Sequence, residues 1–196
     1  MLFALAVLLG ALALGYARGG DLVQLGHLPL RSKRLVVVAL LLQLLGGIAG
    51  GWRYPAGLAL SALLVAAFLA LNRGVRGTGL VAAGLMLNAL VVGVNGAMPV
   101  SGDAMGRARL STQDIISGAD PRHELLGPGT HLSLLGDRVP VFLPAHPEIV
   151  SAGDVMVAAG LAELVVVGMG SARRRPRAGT LTGPAAAPAP SARTSP

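Results

Sequence analysis

Four polar side chains stand inside long apolar runs, and their types and spacing limit the chemistry open to this chain. Glu163 lies at the centre of the run Val155–Ala172, and Gln43 at the centre of Leu35–Gly51. Asn88 lies near the middle of Gly77–Gly102, with Asn95 about two helical turns further along the same face. A carboxyl and three amides at such depth can serve a solute pathway, or can hydrogen-bond one another as glue between helices. Small residues sit beside them at helical spacing: Gly47 after Gln43, Gly84 before Asn88, Ala159 and Gly160 before Glu163. Their polar faces are therefore expected to meet other helices. One acid without a paired base makes a thin ion pathway, so packing is the preferred role for Glu163.

Four histidines, His27, His123, His131 and His146, raise the question of a metal, since three share a segment with Asp137 and Asp154. None shows the compact ligand pairing of a zinc site, and scattered loop residues are the preferred reading. The absence of cysteine removes disulfides, thiolate ligands and thiol nucleophiles. There is no G-x-S-x-G, H-E-x-x-H or Walker loop, and no motif joins acid, base and nucleophile. No enzyme is expected, and no catalytic, cofactor or metal site is assigned. Gly46-Gly47-Ile48-Ala49-Gly50-Gly51 has the spacing of close helix packing, with no strand to make it a phosphate cradle.

The elements that must carry these residues are membrane helices. Of 196 residues, 53% are apolar and 13% charged, against about 25% charged in soluble domains. Met1–Ala17, Leu35–Gly51, Tyr54–Leu71, Gly77–Gly102 and Val155–Ala172 together hold one charge, Glu163. Roughly 17–25 apolar residues cross a hydrocarbon core. The expected fold is an all-α membrane protein with five transmembrane helices, about 1–17, 35–51, 54–71, 78–100 and 152–172. They form a membrane domain over 1–172, with a small external insert, 101–151, between helices 4 and 5. The first run has no Lys or Arg before it, which favours a retained helix over a signal peptide.

Charge orients these helices. An outside N-terminus leaves loop charges of +3, +2 and +5 inside, and +1 and −3 outside. That is the positive-inside pattern of a cell-membrane, multi-pass protein with a cytoplasmic C-terminus. Aromatics are 3%, too few for a base-stacking surface, so the net +7 reports topology and no nucleic acid is expected. Residues 173–196, rich in Arg, Pro and Ala, read as a disordered cytoplasmic tail. Its Arg173–Arg177 cluster reads as a stop signal that also suits anionic lipid.

Within the insert, Ser111–Asp114 has capping-box spacing before a short helix that Gly118 would end. Asp120-Pro121 reads as the start of another helical turn over 121–126. Gly136-Asp137 reads as the turn of a β-hairpin between Thr130–Leu135 and Arg138–Leu143, with Pro140 confined to an edge. Leu132, Leu134, Val139, Val141 and Phe142 are apolar enough to need cover. Ser151-Ala152-Gly153-Asp154 has capping-box spacing before the last helix, and Met98-Pro99 falls where the fourth helix would stop or bend.

Several stretches resemble a known family. They are Gly15-Tyr16-Ala17-Arg18-Gly19-Gly20, the Gln43 helix, and Asn88 through Asn95-Gly96-Ala97-Met98-Pro99-Val100-Ser101. Thr130, Leu135-Gly136-Asp137, Pro140 and Ser151-Ala152-Gly153-Asp154 belong with them. Together they resemble a bacterial multi-pass membrane family of actinobacteria and other Gram-positive bacteria, domain-of-unknown-function family five-three-one-seven. The resemblance covers about residues 1–170. It implies a cell-membrane protein and supplies no activity or ligand. It marks Arg18, Gly19, Gly20, Asn95, Gly96, Met98, Pro99, Gly136, Asp137, Ser151, Gly153 and Asp154 as positions to examine. Two functions follow: a non-enzymatic structural or partner-assisting membrane component docking through its insert, and, as the alternative, a small transporter or channel built on the polar cluster around Glu163.

Overall fold

The computed structural model describes residues 2–49, 53–120, 122–144 and 146–170. The chain is mostly helical, with small strand pieces. It runs α1 (Leu2–Ala17), α2 (Leu22–Gly26), α3 (Arg34–Ala49), α4 (Arg53–Leu71), α5 (Thr78–Asn95), β1 (Met98–Val100), α6 (Gly102–Ala108), α7 (Gln113–Ile116), β2 (His123–Leu125), β3 (Val139–Val141), β4 (Glu148–Val150) and α8 (Ala152–Met169). Among the described residues, two helices, α5 and α8, are long and apolar enough to cross a membrane. The apolar helix α1 and the apolar part of α4, Leu60–Leu71, are shorter.

Helix α8 is the axis of the fold, packing along α5 on one side and α1 on the other, while α3 packs on α4. The α5–α8 seam is antiparallel: Gly84 stands against Gly153 and Val157, and Gly77 and Val81 stand against Gly160. A Cβ on Gly160 would come within 2.6 Å of the Gly77 carbonyl oxygen. Close backbone approach is thus built into the seam at one-heptad intervals, as small-residue spacing predicts. Helix α1 runs parallel to α8. Its first turn meets Glu148, just before α8, and its last turn brings Gly15 against Met169 at the end of α8. Ala11, Val165 and Met169 are buried between them, flanked by Leu8, Leu12 and Leu25.

The end of this bundle opposite the insert is tied by Asn72, which is buried. It accepts the Arg31 N–H at 2.7 Å and donates to the Arg31 carbonyl at 3.0 Å, joining the chain before α3 to the end of α4. Helix α2 was not anticipated; Asp21 caps it by accepting the Val23 N–H.

The insert departs from expectation in four ways. Helix α5 stops at Asn95, where Gly96 takes the left-handed conformation at φ +88°, and Met98-Pro99 forms a strand. Residues 122–126 of the expected helical turn do not coil: His123–Leu125 pairs in parallel with Met98–Val100, and the Met98 N–H donating to the Arg122 carbonyl and the Leu126 N–H donating to the Val100 carbonyl fix the pairing. No hairpin folds about Gly136-Asp137, because Asp137 is committed elsewhere. Its N–H donates to the Pro99 carbonyl at 2.8 Å and its carbonyl accepts the Ser101 N–H at 2.9 Å, bridging to β1. Ser133–Leu135 is a 3-10 turn, and Val139–Val141 pairs antiparallel with Glu148–Val150 instead. Lastly, Leu132, Leu134, Val139 and Phe142 are left exposed instead of covered. The short helix after Thr112 is present as α7, with the Ser111 hydroxyl accepting the Gln113 N–H. The Arg173–Arg177 cluster and the 173–196 tail lie outside the described residues.

Candidate functional site

Ser151 and Asp154 cap α8 in the anticipated box. Ser151 Oγ accepts the Asp154 N–H and Asp154 Oδ2 accepts the Ser151 N–H, both at 3.0 Å. The same box anchors α5. Asn88 Nδ2 donates to Asp154 Oδ1 at 2.8 Å, and Ser151 Oγ donates to Asn88 Oδ1 at 2.9 Å. Gly153 leaves room for Asn88, whose side chain occupies the space a Cβ would need. Asn95 fastens the insert a second time. It accepts the His131 N–H at 2.8 Å and donates to the His131 and Val91 carbonyls.

Around this anchor lies an open cavity of about 840 Å³, lined by the first turns of α1 and α8, by β1, β2 and β4, and by α6–α7. Asp137, whose backbone the bridge to β1 fixes, carries its side chain into the wall and is 6% exposed. His123, on β2, stands beside it, with Nε2 3.7 Å from Asp137 Oδ2. Its other nitrogen, Nδ1, is 2.8 Å from Asp120 Oδ2, while the Arg122 Nε–H donates to Asp120 Oδ1 at 3.1 Å. On the far wall Glu148 accepts the Leu2 and Phe3 amides at 2.7 and 2.9 Å, capping α1 from the insert.

These carboxyls differ sharply. Burial pushes the Asp137 carboxyl up to about 7; the charge of Asp154 adds to this and His123 opposes it. At Asp120 burial is outweighed by the hydrogen bonds from His123 and Arg122, which bring it down to about 2. At Glu148 burial is likewise outweighed, by the terminal amine and the Phe3 and Leu2 amides, and the carboxyl falls to about 2. The arrangement can hold or exchange a proton near neutrality at Asp137 and can accept hydrogen bonds from a guest. The Ser151 hydroxyl is already spent on Asn88 and Asp154, which makes it unsuited to nucleophilic attack. Among the described residues no group of three His, Asp or Glu side chains has metal-holding geometry.

The structure brings together Asn88, Pro99, Gly136, Asp137, Ser151, Gly153 and Asp154, with Asn95, Gly96 and Met98 adjoining. Gly136 lies against the Pro99 backbone. Arg18, Gly19 and Gly20 sit at the other end of α8, where the Asp21 N–H after them donates to the Met169 carbonyl. Glu163 is not part of the cluster: it lies nine residues beyond Asp154 on α8, about 13 Å along the axis. Asn88, its expected partner, is bonded to Asp154 and Ser151 instead. Gln43 is on α3, and its side chain lies outside the described residues. Of the four histidines, His123 and His146 line the cavity, His131 is bound to Asn95 through its backbone, and His27 ends α2. The pairing of Asp120 with His123, and the reach of Glu148 to α1, went unseen in the sequence. A three-residue Asp–His interval is the only local hint of the former, and nothing local announces the latter.

Fold and site together define a mostly helical protein with, among the described residues, two membrane-length apolar helices and a small, partly stranded cap lining an acidic cavity. The chain belongs to the family of unknown function DUF5317, which it matches over residues 27–166. The Arg18-Gly19-Gly20 motif precedes that match. No curated protein and no solved structure matches the chain.

Proposed function

We propose that this chain is a five-span integral membrane protein, N-terminus outside, that acts non-enzymatically as a structural or partner-assisting component of the cell membrane. The observation that carries this reading is the exposed surface of the helices. Ile48 on α3, Leu63 on α4 and Met86 on α5 are 75%, 67% and 71% exposed, and Leu5, Leu9, Leu44, Leu90 and Val155 are exposed as well. Helices apolar all round yet uncovered by protein suit lipid as their solvent. The helix directions agree with it. Parallel α1 and α8 with α5 opposed is the order that the loop charges require.

The insert then forms the outer face. Leu132, Leu134 and Phe142 are placed to dip into the interface or to meet a membrane partner. The Arg173–Arg177 cluster would meet anionic lipid on the inner side. Transport through a Glu163 cluster has less support, since Asn88 is engaged elsewhere. Alkaline carbonate extraction tests the membrane assignment: the protein should stay with the pellet, and release to the supernatant would contradict it. In-membrane crosslinking from a photoreactive residue at position 132 should capture a specific membrane protein. Capture that survives Leu134→Asp unchanged would contradict docking through this face.

A further inference from the structure

The cavity in the insert contains one acidic group whose hydrogen-bonding capacity the protein leaves unfilled. Asp154 has a donor on each oxygen, from Asn88 and Ser151; Glu148 has the Leu2 and Phe3 amides; Asp120 has Arg122 and faces His123. Asp114 is exposed to solvent. Asp137 differs from all of them: it is buried, and its Oδ1 has no hydrogen-bond partner among the described residues. Its Oδ2 is 3.7 Å from His123 Nε2, too far for a hydrogen bond. A buried acceptor without a donor is costly and calls for a missing partner.

The setting of Asp137 states what kind of partner. His123 Nε2 stands 3.7 Å away, its Nδ1 is held by Asp120 at 2.8 Å, and Asp154, Glu148 and Asp120 already have donors of their own. An ammonium or guanidinium brings donors and a positive charge together, which suits a buried carboxylate left without a donor. The remaining wall is apolar, formed by Phe3, Val100, Met105, Ile149 and Val157. At about 840 Å³ the cavity falls within the range of small-molecule sites. Among the described residues no three-ligand group favours a metal. We propose that this cavity binds a small organic cation, an ammonium or guanidinium on an apolar body, with its charged head seated against Asp137.

The inference stands apart from the membrane topology, since the cavity's chemistry is the same whichever side it opens to. It also carries a pH signature. The charged and titratable groups facing Asp137 are Asp154 from α8, His123 from β2, and Asp120 with Arg122 before β2; His146 and Glu148 face the same cavity from β4 and the loop before it. Since burial holds the Asp137 proton to about pH 7, a cation must displace that proton. Binding should therefore strengthen about tenfold from pH 6 to 8 and then level off.

The test is calorimetric titration of the full chain, in phosphatidylcholine nanodiscs at pH 8, with phenethylammonium and phenethylguanidinium, and with 2-phenylethanol as the uncharged counterpart. The account predicts saturable, one-to-one binding of at least one cation, at least tenfold tighter than the alcohol. Asp137→Asn should weaken it at least tenfold with the melting temperature kept or raised. Asp103→Asn, at an exposed position of α6 outside the cavity lining, should leave it unchanged. Absence of saturable binding by either cation would overturn the proposal. So would equal binding of the alcohol, binding undiminished in Asp137→Asn, or saturable Mn²⁺ binding lost in that variant without any cation binding.

Discussion

Asn88 and Asp154 meet across the α5–α8 seam, the amide donating to the carboxylate at 2.8 Å, and this contact converts a helix cap into a joint between two helices. Asp154 Oδ2 closes the capping box while Oδ1 takes Asn88, so one side chain both starts α8 and locks α5 to it. Asn88→Leu would leave the half-buried Asp154 and the buried Ser151 each short of a partner. A loss of about 1–3 kcal/mol is expected, read as a lowered thermal midpoint in detergent. An unchanged midpoint would mean that the joint contributes little.

The seam itself should be sensitive to single methyl groups. Gly160→Ala forces a Cβ against the Gly77 carbonyl, whereas Gly93→Ala, with nothing within 4 Å, has free space. The first should cost about 1–3 kcal/mol as overpacking, and the second should be neutral or slightly stabilising through helix propensity. Paired melting curves decide it, and equal effects would remove close approach as the reason for the glycine.

Glu148 should hold the first turn of α1. Glu148→Gln keeps the size but weakens the two amide bonds, and Glu148→Ala removes them. By the scale of capping interactions, Glu148→Ala should cost about 0.5–2 kcal/mol. Hydrogen exchange should rise at Leu2–Leu5 and stay unchanged in α5.

How readable the sequence is depends on what each segment needs from its neighbours. The Ser151–Asp154 box and the small residues at Gly84 and Gly160 are local signals, and each appears in the structure at its predicted place; the apolar runs appear as helices, with α5 ending at Asn95 short of the expected 100. The insert is different. Strands of three residues carry no alternation to detect, and Gly136-Asp137 has the composition of a turn while serving a close contact with Pro99. Asp120, His123 and Asp137 reach one cavity only because β1 pairs with β2 on one side and bridges to Asp137 on the other. Glu163 misled in the opposite way: its position in a run is local, but its partners depend on the helix register, which the Gly84–Gly153 contact fixes.

Asp137 should make the protein less stable as pH rises. Its carboxyl titrates near 7 in the folded chain against an ordinary value of 3.8, so the native state binds the proton more tightly than the unfolded state. Stability should thus fall between about pH 4 and pH 7 and flatten above. Asp137→Asn cannot ionise; it should match the parent near pH 4 and exceed it at pH 8, by at most on the order of 4 kcal/mol. Melting curves at the two pH values check the sign. A variant equally stabilised at both would place the effect elsewhere, and a gain at pH 8 would fit a binding residue kept at a cost in stability.

The central claim is that the chain crosses the membrane with its insert outside and its C-terminus inside, and the lack of native cysteine makes this directly measurable. Ser133→Cys in the insert and Ser191→Cys in the tail are introduced singly and exposed to a membrane-impermeant maleimide on intact cells. The account predicts labelling at position 133 on intact cells, and at position 191 only after permeabilisation. Labelling at 191 but not at 133 on intact cells would contradict it.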